Sequence, residues 1–197
     1  MAESVAAGSY YGVPAGLILL VGPPGAGKSS FARAWVERGR IDADGVVSCD
    51  TIRAQLFGAG VHFADDPAVF NEMDTRVATR LSAGLPVVVD ATNVMPHART
   101  RMIAWARQHG RPVTALRFKV ETPVLVRRNA TRIGHARVPT EDVLEYAEIA
   151  AAHASPGQLL GEGVDVVVNV PGEADGASPS DAAAAIYLWS SRRQQTS

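Results

Sequence analysis

The sequence predicts an α/β fold: a parallel five-stranded sheet with helices on both faces. Two observations carry this. Short aliphatic runs alternate along the chain with segments of helical spacing, the order that strand–helix units produce. The leading runs, Leu17-Ile18-Leu19-Leu20-Val21 and Val87-Val88-Val89, are continuously apolar, as strands covered on both sides must be. At 197 residues, 47% hydrophobic and 20% charged, the chain fits one globular domain and excludes a wholly disordered one.

Residues 1–15 are small and polar, with Gly, Ser and Pro, and read as a flexible tail. The expected domain spans 16–171. Its first strand is 17–21, followed by a glycine-rich turn and a helix over about 28–38. A short second strand, 46–48, leads into a helix over 51–57, and Gly58 to Pro67 reads as a loop. Phe70, Met73, Val77 and Leu81 recur at helical spacing between Pro67 and Ala83, with Gly84 just past the end. The third strand, 87–89, closes on Asp90. Pro96 opens a helix that stops at Gly110; 113–120 is a strand and 122–132 a helix. Thr140-Glu141-Asp142 starts a helix running to about 152, and 164–170 is the last strand. Residues 172–197 read as a linker (Gly172 to Pro179) and a short tail helix over 181–189, capped by Asp181.

One cysteine, Cys49, excludes a disulfide framework and a thiolate metal cluster, and the five histidines show no ligand spacing. The longest aliphatic run is five residues, against about 20 for a membrane span. The N-terminus has no basic segment and no long apolar core, so no signal peptide is expected. These features predict a soluble, cytoplasmic protein without a membrane partner.

Net charge is −1, but it is unevenly distributed. Between Arg99 and Arg137 stand ten Arg or Lys and a single acid, Glu121. Such a segment either attracts polyanions or decorates solvated helix faces.

Gly22-Pro23-Pro24-Gly25-Ala26-Gly27-Lys28-Ser29 fits GxxxxGK[ST], a match expected by chance in about one per cent of chains this long. It lies between an aliphatic strand and a helix, the context its chemistry needs. Glycines let successive N–H groups turn inward on phosphate oxygens, the helix N-terminus adds positive charge, Lys28 reaches the outer phosphates and Ser29 ligates Mg²⁺. This is a nucleoside-triphosphate cradle, extending through Ser30.

The remaining polar residues bear on the acceptor. Asp50 follows the second strand, so it belongs at the same sheet edge as the cradle, where it can take a hydroxyl proton, cap its helix, or do both. Arg53, one turn on, can clamp an anionic part of the acceptor or sit on the surface. Asp90 ends a strand as a Mg²⁺-supporting acid does, or as an Asx-turn acid does. Arg127, Arg128, Arg132 and Arg137 surround a Gly134-His135 break, forming either a small arginine-bearing lid or a solvated basic helix. Asp42-Ala43-Asp44-Gly45-Val46 matches the DxDG[TV] form of aspartate phosphatases, but no strand precedes it, so it reads as a turn.

Together GPPGAGKSSFAR, SCDTIR, VVVDATN with Ala98-Arg99, and RRNATR…RVP resemble phage-type polynucleotide 5′-kinases and the kinase module of bacterial RNA-repair kinase–phosphatases, over about residues 17–150. The resemblance implies strand order 2-3-1-4-5 and a kinase that uses ATP or another NTP with Mg²⁺. It implies Asp50 as general base on a 5′-hydroxyl of RNA or DNA, with Arg53 on the adjacent phosphate. Asp90, Thr92 and Asn93 would serve the acceptor side, and Arg132 with Arg128 the donor phosphates. A P-loop kinase of a small molecule (sugar, nucleoside, antibiotic or sugar-nucleotide) is the alternative. Oligomeric state is left open, a homo-oligomer included.

Overall fold

A computed structural model describes residues 10–58, 67–134 and 137–189, and the backbone of residues 2–4. Most of the loop expected from Gly58 to Pro67, His135 of the expected lid break, and the last eight residues lie outside the described residues.

The strands are β1 (Ala2–Ser4), β2 (Tyr11–Pro14), β3 (Leu17–Val21), β4 (Val46–Ser48), β5 (Val87–Asp90), β6 (Val113–Phe118), β7 (Val166–Val170) and β8 (Ile186–Trp189). The helices are α1 (Lys28–Glu37), α2 (Cys49–Phe57), α3 (Pro67–Ser82), α4 (Pro96–Gln108), α5 (Thr122–Ala130), α6 (Thr140–His153), α7 (Pro156–Gly161) and α8 (Pro179–Ala185). The main sheet runs β1-β7-β6-β3-β5-β4, and every pairing described in it is parallel. Without β1 it has the five strands and the 2-3-1-4-5 order that the resemblance implies.

Alternation along each strand divides the core in two. Ile18, Leu20, Val88, Leu116 and Val168 point to one face, where Phe31 and Trp35 of α1 and Leu125 of α5 pack. Leu17, Leu19, Val87, Val89 and Ala115 point to the other, under Ile52 of α2, Met73 and Val77 of α3 and Met102 of α4. Residues 17–20 are wholly buried, which is why β3 reads as an unbroken aliphatic run.

Three sequence expectations change. Residues 1–15 are not all tail: β2 pairs in parallel with β8 in a separate two-stranded sheet. The tail helix does not reach Trp189. It ends at Ala185 and is capped by Ser178, whose hydroxyl accepts from Asp181 N–H, so Asp181 answers the cap and does not supply it. The short α7 escaped the sequence reading. Asp42 and Asp44 sit at a turn, as expected, with both carboxylates on Arg80 of α3.

Candidate active site

β3 delivers the chain into the Gly22 to Gly27 turn, and α1 begins at Lys28. Gly25 and Gly27 have φ of +83° and +99°, left-handed values that side chains resist. A Cβ at Gly25 would also meet the Leu125 carbonyl at 3.2 Å. α1 carries no acid of its own in its first turn, so the positive end of the helix is not offset from within it. Lys28 is buried and folds back over the loop, its Nζ donating to the carbonyls of Gly22 (2.7 Å) and Pro23 (2.8 Å). Burial lowers its pKa from 10.5 to about 8, with Asp90 and Asp50 pulling it up and Arg132 pushing it down.

Asp50, Asp90 and Arg132 thus all act electrostatically on one ammonium group. Ser48 pairs with Asp90 across β4 and β5, so both strands end at the same level. Asp90 is 8% exposed, and the Ser29 hydroxyl hydrogen-bonds to its carboxylate. Desolvation raises its pKa, against the opposing effects of Ser29 and Lys28. Ser29 and Asp90 thus set two hard oxygen donors side by side next to the phosphate turn, a donor set that fits Mg²⁺.

Ser48 caps α2, its hydroxyl accepting from Thr51 N–H at 3.4 Å, which leaves the Asp50 carboxylate 92% exposed. Asp50 is therefore not the cap of its helix. Arg53 Nη1 donates to Asp50 Oδ1 at 2.9 Å, while its own side chain is only 14% exposed. Its Nε is buried with no hydrogen-bond partner among the described residues. The neighbouring Cys49 thiol is pushed up to about 11 by burial and packs on the Met73 sulfur at 3.3 Å.

Not every expected residue faces the crevice. Asn93 adopts φ +48°, is 3% exposed, and its amide donates to the carbonyls of Leu20 (2.9 Å) and Val89 (3.2 Å). Its side chain ties the ends of β3 and β5 together and is not presented to a substrate. Thr92 contributes its carbonyl, which accepts from Gly22 N–H at 2.9 Å and fixes the start of the phosphate turn.

On the lid side, α5 ends at Ala130 and Asn129 closes the returning loop through two hydrogen bonds with the Val138 backbone, at 2.7 and 3.1 Å. Arg128 reaches the phosphate turn, donating to Gly25 carbonyl at 3.3 Å. It also shares Glu173 with Arg127, at 3.0 and 2.7 Å. Glu173 lies in the expected linker, and no spacing pointed to it. Pro23 and Ala26 are buried parts of the turn, Pro24 is half-buried, and Ser30 is exposed beside Ser29.

The basic segment is not one exposed patch. Arg99 is wholly buried, making two 2.6 Å contacts to Glu162 and donating to the carbonyls of Asn93, Val94 and His153. Arg107 is on Asp165, and Arg111 donates to Gly84 carbonyl.

The sequence matches the family described as AAA domain over residues 17–152. The chain belongs to that family. No curated relative matches it. Among solved structures, a chain of the Pnkp1/Rnl/Hen1 RNA repair complex superposes with TM-score 0.54 at 22% identity, over 73% of this chain and 45% of that one. This AAA domain protein therefore spans less than half of that relative's length. A putative kinase from Chloroflexus aurantiacus J-10-fl gives TM-score 0.56 at 17% identity, covering 87% and 95% of the two chains. A gluconokinase from Sinorhizobium meliloti 1021 gives 0.52 at 21%, covering 86% and 90%. The fold of this AAA domain protein is that of P-loop kinases. Among the described residues, no helix is long and apolar enough to cross a membrane.

Proposed function

We propose that this AAA domain protein is a Mg²⁺-dependent kinase that moves the γ-phosphate of ATP, or another NTP, to the 5′-hydroxyl end of RNA or DNA. The Asp50–Arg53 pair carries the reading. An exposed carboxylate, coupled to the Lys28 ammonium and joined at 2.9 Å to a largely covered guanidinium, offers a proton acceptor beside an anion clamp. A 5′-terminal nucleotide has the matching features, a free hydroxyl and a phosphate a few ångströms away. The likeness to a chain of an RNA repair complex supports the same acceptor.

Asp50 would take the hydroxyl proton as the acceptor oxygen attacks, exchanging its hydrogen bond with Arg53 for one to substrate. Lys28 would leave the Gly22 and Pro23 carbonyls for the outer phosphates, and Arg128 and Arg132 would neutralise charge from the lid side. Mg²⁺ when bound draws charge from the transferring phosphoryl group; Ser29 and Asp90 are the residues that would hold it.

A small-molecule acceptor is the second reading. It is favoured by the gluconokinase that covers nine-tenths of its own length on this fold, and by the internal pairing of so many bases in the 99–137 segment. Radiolabelled ATP offered with a 5′-hydroxyl oligonucleotide and with a panel of sugars, nucleosides and sugar acids separates the two. Label on the oligonucleotide alone is the expected result; label only on a metabolite rejects the polynucleotide assignment.

A further inference from the structure

A second pocket adjoins the phosphate turn on its β6 flank, whereas Asp50 stands on the β4 flank. It measures about 200 Å³ and lies between Gly22 and Pro23, the end of β6, and the alanine face of α6 formed by Ala147, Ala150 and Ala151 and continued by its C-cap Ala154. Arg117 lines it. By strand alternation Arg117 shares the sheet face of Ala115, the face on which α2 packs through Ile52. The pocket therefore opens on the same side of the sheet as Asp50 and Arg53.

Arg117 is unlike the other arginines of its segment. Its Nε donates to Ala154 carbonyl at 2.7 Å and its Nη1 to the Asn169 amide oxygen at 3.2 Å, both neutral acceptors. No carboxylate among the described residues forms an ion pair with it. Burial lowers its pKa, and no neighbouring charge contributes to the shift. The other charged groups lining the pocket are Lys119 and Glu121, which leave it net positive with Arg117. A half-buried guanidinium held only by neutral acceptors keeps its charge available to an anionic ligand. The small side chains of α6 leave room for one.

We infer that this pocket is an oxyanion subsite of the acceptor, with the Arg117 guanidinium holding a phosphate diester or carboxylate group remote from the reacting hydroxyl. The inference rests on the reading that the acceptor enters from the α2 face. It adds a second cationic anchor across the phosphate turn from Arg53, so that an acceptor with an anionic group at each end is held at two points. Arg117 would act in binding and take no part in proton transfer.

The test loads the full chain with Mg²⁺ and a non-hydrolysable ATP analogue. It then measures by calorimetry the binding of two probes, a 5′-hydroxyl trinucleotide and gluconate. Arg117→Gln removes the charge while keeping an amide donor at the reach of the Ala154 carbonyl. Ala150→Leu fills the pocket and leaves Arg117 untouched. Both variants are expected to weaken the bound probe ten-fold or more, Arg117→Lys less, with affinity for the ATP analogue unchanged within two-fold. If the trinucleotide binds, and Arg53→Ala weakens it while Arg117→Gln and Ala150→Leu do not, the subsite is refuted and the polynucleotide reading stands. If gluconate alone binds and both variants weaken it, the subsite stands and the polynucleotide reading falls. Binding of neither probe to the wild-type chain overturns the inference.

Discussion

Lys28 makes nucleotide affinity depend on pH in a window that few other groups share. Its pKa in the free protein is about 8, because the ammonium is stripped of water and compensated only by two carbonyls and more distant carboxylates. Phosphates brought against it favour the charged form, so its pKa rises on binding and the complex takes up a proton above pH 8. With the free pKa at 8, about nine-tenths of the protein is protonated at pH 7 and about one-tenth at pH 9. Affinity for Mg·ADP should therefore fall about ten-fold between those values, equivalent to about 1.4 kcal/mol. The Cys49 thiol, at about 11, does not confuse the range. Calorimetry in two buffers of different ionisation enthalpy reads both the affinity and the proton uptake. Lys28→Met should bind more weakly with a flatter profile. Wild-type affinity that is level from pH 7 to 9.5, or a dependence that survives in Lys28→Met, would refute the assignment.

Other perturbations separate chemistry from scaffold. Asp50→Ala should abolish phosphoryl transfer in single-turnover assays yet leave ADP affinity within about two-fold, since its carboxylate is exposed and caps nothing. Arg53→Ala should weaken oligonucleotide phosphorylation by roughly ten-fold or more, from the loss of about 1.5–3 kcal/mol of charge-assisted hydrogen bonding, and an unchanged rate would favour a metabolite acceptor. Arg99→Leu strands Glu162 and three carbonyls; a cost of about 3–5 kcal/mol should lower Tm by roughly 6–20 °C in thermal denaturation.

The parallel strands were legible because burial on both faces writes them as aliphatic runs, and the phosphate turn because its glycines answer a steric demand. Asp50 was legible by position, since a residue directly after a parallel strand must lie at the ligand edge. Its freedom from capping was not, because Ser48 and Asp50 are equally good caps on paper. Arg99 looked like surface charge because its partner Glu162 is 63 residues away. β2 and β8 were hidden for a different reason. Tyr11–Pro14 contains the glycine and proline that argue against a strand, and its partner lies at the far end of the chain. α7 did carry a signal, since Ser155 and Gln158 have capping-box spacing and form one.

The pairing of β2 with β8 has a consequence for how the molecule is made. Trp35 of α1 donates its indole N–H to Ile186 carbonyl at 3.0 Å, and Ala15 N–H reaches Trp189 carbonyl at 2.7 Å. The nucleotide-binding helix thus leans on a ribbon whose second half, Ile186–Trp189, is synthesised long after the helix itself. Until residue 189 has emerged, one side of that helix stays bare, and the nascent chain carries exposed aromatic surface at its functional centre.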